Sequence, residues 1–299
     1  MHSSSILTEI KNFFLKGSML ARIIGFNIAV FILVALIRVF FFLLDAPSAY
    51  DAIINWLGVP SGTDTLLARP WTLITYMFLH FDFLHILFNM WILYIGGRLF
   101  RDFLGEDRML GTYLIGGLIG AAFFILAYNF FPVFSEVRQM SVAIGASASV
   151  LAIFVAVATY APNYQLPLLI IGRIRLKYIA IFFVVIDLIS IDKGNSGGHL
   201  AHLGGALWGF LYVSLLKSGK DPAKFLGIWL KAFGSMFKPK PRMRVEYRNN
   251  RPMSDDEYNR RRAADQKRMD AILDKISQHG YQSLSSEEKE ILFRMSSKE

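Results

Sequence analysis

Three short polar motifs punctuate an otherwise apolar chain: His85-x3-Asn89, Gly145-Ala-Ser147-Ala and His199-x2-His202-x2-Gly205. A serine hydroxyl is a weak nucleophile until a neighbouring base takes its proton. The histidines supply candidate bases. An amide and a second imidazole supply side-chain donors for a developing oxyanion. Each motif lies at the start of a membrane-length apolar segment, and those segments are the second, fourth and sixth of six. Successive spans reverse direction, so the even-numbered ones begin on one side. The three motifs therefore sit at one depth, within one leaflet. Together they form the inventory of a serine hydrolase built inside a bilayer.

Every residue in this set also has a plainer role. Gly145-Ala-Ser147-Ala-Ser is the kind of small-residue face on which membrane helices pack closely. Against that stands the position of Ser147 near a helix start, where free backbone N–H groups and the positive end of the helix dipole favour an anion. Gly145 and Ala146 leave room for a carbonyl group to approach. His202 would serve as base, because Gly205 and Gly209 share its face at i+3 and i+7. That G-x-x-x-G patch draws the sixth span against a partner, the fourth being the natural one. His199, one turn nearer the outer face, is the alternative base. His85 and Asn89, four apart, are either a mutually satisfied polar pair or two oxyanion donors. His80, in the preceding loop, reads as interfacial. Metal catalysis finds no H-E-x-x-H motif, and no acidic residue is expected to accompany these histidines. Asp187 is the one acidic residue within a span, so a paired-aspartate mechanism lacks its second carboxylate. No metal and no cofactor are expected.

The elements that must position these residues follow from hydropathy. The chain has 299 residues, of which 54% are apolar, and no cysteine, which rules out disulfides and thiolate metal sites. Apolar runs predict spans at about 23–44, 84–100, 110–130, 145–160, 178–191 and 198–216. Several fall short of the ~20 residues needed to cross a ~30 Å hydrocarbon core, which suits a thinned bilayer or a protein-lined water cavity. The first run lacks a small-residue cleavage site and is expected to be a retained span. The connection 45–82, rich in aromatic and turn residues, is expected to be ordered and interfacial. The formal net charge is +9. Lys and Arg concentrate in the first arm, the second–third and fourth–fifth links and the stretch after span six. The opposite connections hold only Arg69, Arg138 and Lys193. The positive-inside rule then places both termini in the cytoplasm and the three motifs at the outer face.

At this point the residues resemble a known family. Arg69-Pro-Trp71, followed by His80-Phe-Asp-Phe-Leu-His85-Ile-Leu-Phe-Asn89, looks like the first-loop and second-helix signature of rhomboid intramembrane serine proteases. Gly145-Ala-Ser147 resembles their G-x-S motif, and Ala201-His202-Leu-Gly-Gly205-Ala-Leu-Trp-Gly209 resembles their sixth helix. The resemblance covers roughly residues 20–216. It implies a Ser–His dyad, with Ser147 as nucleophile and His202 as base and then acid. His85, Asn89 and the Ser147 backbone N–H would assist the oxyanion. Two positions depart from the pattern. Ala148 stands where glycine is common. Leu151 stands where a tyrosine often stacks on the base, so another group must hold the imidazole. The competing implication is a rhomboid-like pseudoprotease that binds or routes membrane helices without cutting them.

The expected fold is an all-α membrane protein, a six-transmembrane-helix rhomboid-like bundle with a small C-terminal helical hairpin. Its divisions are a cytosolic arm at 1–20, the protease domain at 21–216, a basic linker at 217–252 and a small helical domain at 253–299. In the last, Met269, Ile272, Leu273 and Ile276 line one helix face, Gly280 ends that helix, and Ser285-Ser286-Glu287-Glu288 offers a capping box. The expected partners are transmembrane protein substrates and membrane lipid, in the plasma membrane of a bacterium. Interleaved acidic residues around Arg260-Arg261-Arg262 argue against nucleic acid. No particular oligomeric state is implied.

Overall fold

The computed structural model describes residues 17–168, 172–227 and 254–296. Most of the arm and of the linker, including Lys238-Pro239-Lys240-Pro241, lie outside the described residues. The chain divides into two compact units, Met1–Lys238 and Pro239–Glu299.

The first unit is built from helices α1 (Met19–Leu43), α2 (Pro47–Leu57), α3 (Thr63–Ala68), α4 (Thr72–Thr75), α5 (Phe83–Leu104), α6 (Met109–Phe130), α7 (Ser147–Tyr160), α8 (Leu176–Ile189) and α9 (Ser196–Lys217). Their limits follow local chemistry. α1 starts four residues before the apolar run because Ser18 Oγ accepts the Ala21 N–H at 3.1 Å. α5 begins where Asp82 accepts the His85 N–H at 2.8 Å. It stops at Gly105, whose φ of +89° a side chain would resist. Among the described residues, four helical segments are long and apolar enough to cross a membrane: Met19–Leu43, Phe83–Leu104, Glu106–Phe130 and Ser196–Lys217. α7 is a shorter apolar helix.

α7 is the centre of the unit. Every residue from Ala148 to Ala158 is buried, so this helix is surrounded by protein, and α5, α6, α8 and α9 pack around it. Small residues allow that approach. A Cβ on Gly116 or Gly120 of α6 would collide with Ala152 or Ala148 of α7. On α9, a Cβ at Gly205 or Gly209 would strike the backbone carbonyl of Ala148 or Ala152. α1 and α8 instead expose apolar side chains such as Leu36, Phe40, Ile181, Phe182 and Leu188, the surface a lipid solvent requires.

The first connection is ordered, as its aromatic content predicts. Arg69 donates to the Asn55 carbonyl at 3.3 Å, and Trp71 Nε1–H donates to the Trp56 carbonyl at 3.0 Å while the two indoles pack at 4.9 Å. These contacts fasten α4 to α2. Strand β1 (Val59–Pro60) pairs antiparallel with β2 (Val142–Ala143), tying this connection to the one before α7. A hairpin of β3 (Gln165–Leu168) and β4 (Gly172–Arg175) joins α7 to α8.

The second unit contains α10 (Asp255–His279) and α11 (Ser286–Ser296). The Gly280 stop and the Ser285 capping box are those read from the sequence, and Ser254 adds a third cap. Ser254 Oγ accepts the Glu257 N–H at 3.3 Å. Gly280 ends α10 at φ +77°. Ser285 and Glu288 exchange bonds at 2.7 and 3.2 Å in a capping box. Lys275 Nζ meets Glu288 at 2.9 Å across the hairpin, and Ile272 and Leu284 are buried. Leu273 points outward at 49% exposure.

Candidate functional site

Gly145 sets up the site. Its φ of +136° lies where glycine is favoured, and a Cβ would stand 3.1 Å from the His85 ring. Its N–H donates to the Tyr76 carbonyl at 2.9 Å. The chain then enters α7 at Ser147 with no side-chain cap, and the first intrahelical bond runs from Val150 N–H to the Ala146 carbonyl at 2.9 Å. The opening turn of α7 therefore offers backbone N–H groups beside the Ser147 hydroxyl.

Across from it, α9 brings His202. The Ser147 Oγ to His202 Nε2 distance is 2.6 Å. The close α7–α9 crossing at Gly205 and Gly209 makes this possible, because those glycines let the two backbones touch one to two turns below. Both residues are half-buried. They line a cavity of about 590 Å³ together with His85, Asn89, Leu151 and Asp187. Asn89 is buried and spends one amide N–H on the His85 carbonyl at 2.9 Å, leaving the other for a further acceptor. His199 does not approach the serine. Its Nδ1 lies 2.8 Å from Asp187 Oδ1.

Asp187 overturns one expectation. No carboxylate is a near neighbour of His199 or His202 in sequence, yet α8 delivers Asp187, 6% exposed, to both of them. The His202 Nδ1 to Asp187 Oδ1 distance is also 2.8 Å. Asp187, His199 and His202 are the group that could hold a cation among the described residues, with ligand atoms within 4.8 Å of one another. Hydrogen bonding by itself accounts for their closeness. The signal available in the sequence was a lone carboxylate in an apolar span, which is expensive unless it has partners.

His80, expected at the membrane interface, is buried within the protein at 2% exposure. The residues before it are drawn inward: Tyr76 donates to the Gly117 carbonyl at 2.5 Å, and Tyr113 of α6 donates to the Met77 carbonyl at 3.0 Å. The His80 and His85 rings meet edge to face at 5.0 Å. Burial, with His85 nearby, pulls the His80 imidazole down to about 4.

Residues 67–219, just over half of the chain, match the Rhomboid domain. The chain belongs to the rhomboid family. Within it, the match spans α4 to α9 and so includes every site residue named above. Residues 254–298 match a family of unknown function, DUF6576. Among similar proteins, presenilin-associated rhomboid-like protein A, mitochondrial, of Danio rerio is 29% identical over 143 residues, 46% of this chain and 35% of that protein. RHOMBOID-like protein 12, mitochondrial, of Arabidopsis thaliana is 30% identical over 161 residues, 51% and 48% respectively. Rhomboid protease GlpG of Pectobacterium atrosepticum is 33% identical over 87 residues, 29% and 30%. This rhomboid chain spans about half the length, or less, of these relatives.

Proposed function

We propose that this rhomboid is an intramembrane serine endopeptidase that cuts transmembrane protein substrates near the outer membrane face. One observation carries the reading: the Ser147 hydroxyl and the His202 imidazole lie 2.6 Å apart in the wall of a cavity that also holds His85, Asn89 and Asp187. Neutral His202 takes the Ser147 proton as the hydroxyl attacks a peptide carbonyl, then returns it to the leaving amine. The negative oxygen meets the free N–H groups opening α7, the spare Asn89 amide N–H and the His85 ring. Water for deacylation enters by the same cavity. A substrate helix must unwind locally first, since its own hydrogen bonds shield each amide. An apolar groove of about 500 Å³ between α5 and α8 shares Phe88, Ile92 and Phe183 with the site cavity. A lipid-facing segment lying there would have its extended end beside Ser147.

In this reading α7 and α8 complete a bundle of six crossings. The excess of Lys and Arg in alternate connections supports an orientation with both termini on the cytoplasmic side. The rival reading, an inactive helix-binding rhomboid, finds less support because serine and histidine are both present and in contact.

The test is cleavage of a reporter transmembrane substrate in proteoliposomes. Ser147→Ala and His202→Ala should each abolish it, and a fluorophosphonate should label wild type but not Ser147→Ala. Intact cleavage by Ser147→Ala defeats the proposal. An unlabelled, inert wild type in every lipid tried favours the binding role.

A further inference from the structure

We infer that Asp187 is a positioning residue for the base, so that Ser147, His202 and Asp187 act as a three-residue relay drawn from α7, α9 and α8. The inference rests on the hydrolase reading above and deepens it. An ionised carboxylate can only accept hydrogen bonds. Asp187 Oδ1 is 2.8 Å from His202 Nδ1, so Nδ1 carries the ring proton. His202 Nε2 is then left with its lone pair, and that is the nitrogen facing Ser147 Oγ at 2.6 Å. One contact thus selects the tautomer able to take the serine proton. It also faces the imidazolium that forms as the proton moves, which a neutral environment would disfavour. The opposite tautomer would present N–H to the hydroxyl and could not act as base.

The remaining surroundings leave this task to Asp187. Leu151 lines the cavity near the site and has no polar group to offer. Across the described residues, the hydrogen-bond partners of His202 are Ser147 and Asp187. His199 has its place in the same scheme. Its Nδ1–H donates to the same Oδ1 at 2.8 Å, which uses the second lone pair and holds the carboxylate in place. Among the described residues, this carboxylate in an otherwise apolar helix has two imidazole partners, one turn apart on α9.

The experiment compares wild type with Asp187→Asn, Asp187→Glu and His199→Asn in proteoliposomes, reading kcat and KM for a fluorogenic transmembrane peptide and the melting temperature of each variant. Asp187→Asn should lower kcat by roughly 10²–10⁴-fold with KM near wild type, since the tautomer is lost but substrate contacts are kept. Asp187→Glu, which keeps the charge, should recover part of the rate. His199→Asn should cost less than Asp187→Asn. Wild-type kcat in Asp187→Asn overturns the inference. So does a rate loss that tracks a fall in melting temperature with no recovery in Asp187→Glu, which makes Asp187 structural. A larger loss in His199→Asn than in Asp187→Asn also overturns it. Ser147→Ala run in parallel separates the two levels: if it still cleaves, the hydrolase reading itself has failed, whatever Asp187 does.

Discussion

Burial of His80 makes the folded state sensitive to acid. Its imidazole is held near pKa 4, mainly by desolvation, against about 6.5 in an unfolded chain. The group is neutral in the fold, so between pH 6.5 and 4 the unfolded chain takes up a proton that the folded one refuses. Stability is full above about 6.5, declines as the pH falls through that window, and stops declining near 4. The shift corresponds to about 3 kcal/mol. His80→Leu should remove this component, so its denaturation midpoint in detergent should change less between pH 7 and 4.5 than that of wild type. Equal changes in both proteins would place the acid sensitivity elsewhere. The same residue shows what the sequence could not display. Types and spacing marked Ser147, His202, His85 and Asn89, because they lie in motifs on periodic helices. The depth of His80 depends on Tyr76 and Tyr113 binding across 40 or so residues, and the role of Asp187 depends on how α8 leans. Neither is a local property.

The helices hold Ser147 against His202 through their small residues. Gly205 touches the α7 backbone at Ala148, the residue after the serine. An added methyl there meets a carbonyl group, which cannot rotate away, so α9 must move. Gly205→Ala should cost about 1–3 kcal/mol of stability through overpacking and, by shifting His202 by a fraction of an ångström to an ångström, lower kcat by up to about 10²-fold. Gly111→Ala is the matched control. Its Cβ also meets backbone, at Ala223, but well beyond α9. It should lower the melting temperature with little further effect on kcat of the folded fraction. If both variants lose rate in proportion to stability, the crossing at Gly205 has no special place in catalysis. At this scale much was legible beforehand, because G-x-x-x-G spacing and capping residues act over one or two turns. The β1–β2 pairing was not, since it joins two-residue strands some eighty positions apart.

At the scale of the whole molecule, the number of bilayer crossings turns on α7 and α8. α1, α5, α6 and α9 have the length for it. α7, with 14 residues, extends only about 21 Å, short of the ~30 Å core. Because α7 is enclosed by other helices, lipid need not match its length, and water reaching the site from one side shortens the apolar distance further. α8 is of the same length and exposes Ile181, Phe182, Val185 and Leu188 along one side, a surface suited to lipid and to nothing aqueous. Six crossings follow if both helices traverse. If instead they enter and leave by one face, four remain. The two topologies agree on every connection except one, the link between α7 and α8 that bears Arg173, Arg175 and Lys177. The absence of cysteine allows a direct decision. Single cysteines at exposed Asp102, Asn163 and Lys220, and at Glu136 and Lys193, can be probed with an impermeant maleimide in vesicles of each orientation. Six crossings group Asn163 with Asp102 and Lys220. Four crossings group it with Glu136 and Lys193. The positive charge beside Asn163 selects the first grouping, and labelling of Asn163→Cys together with Lys193→Cys would reject it.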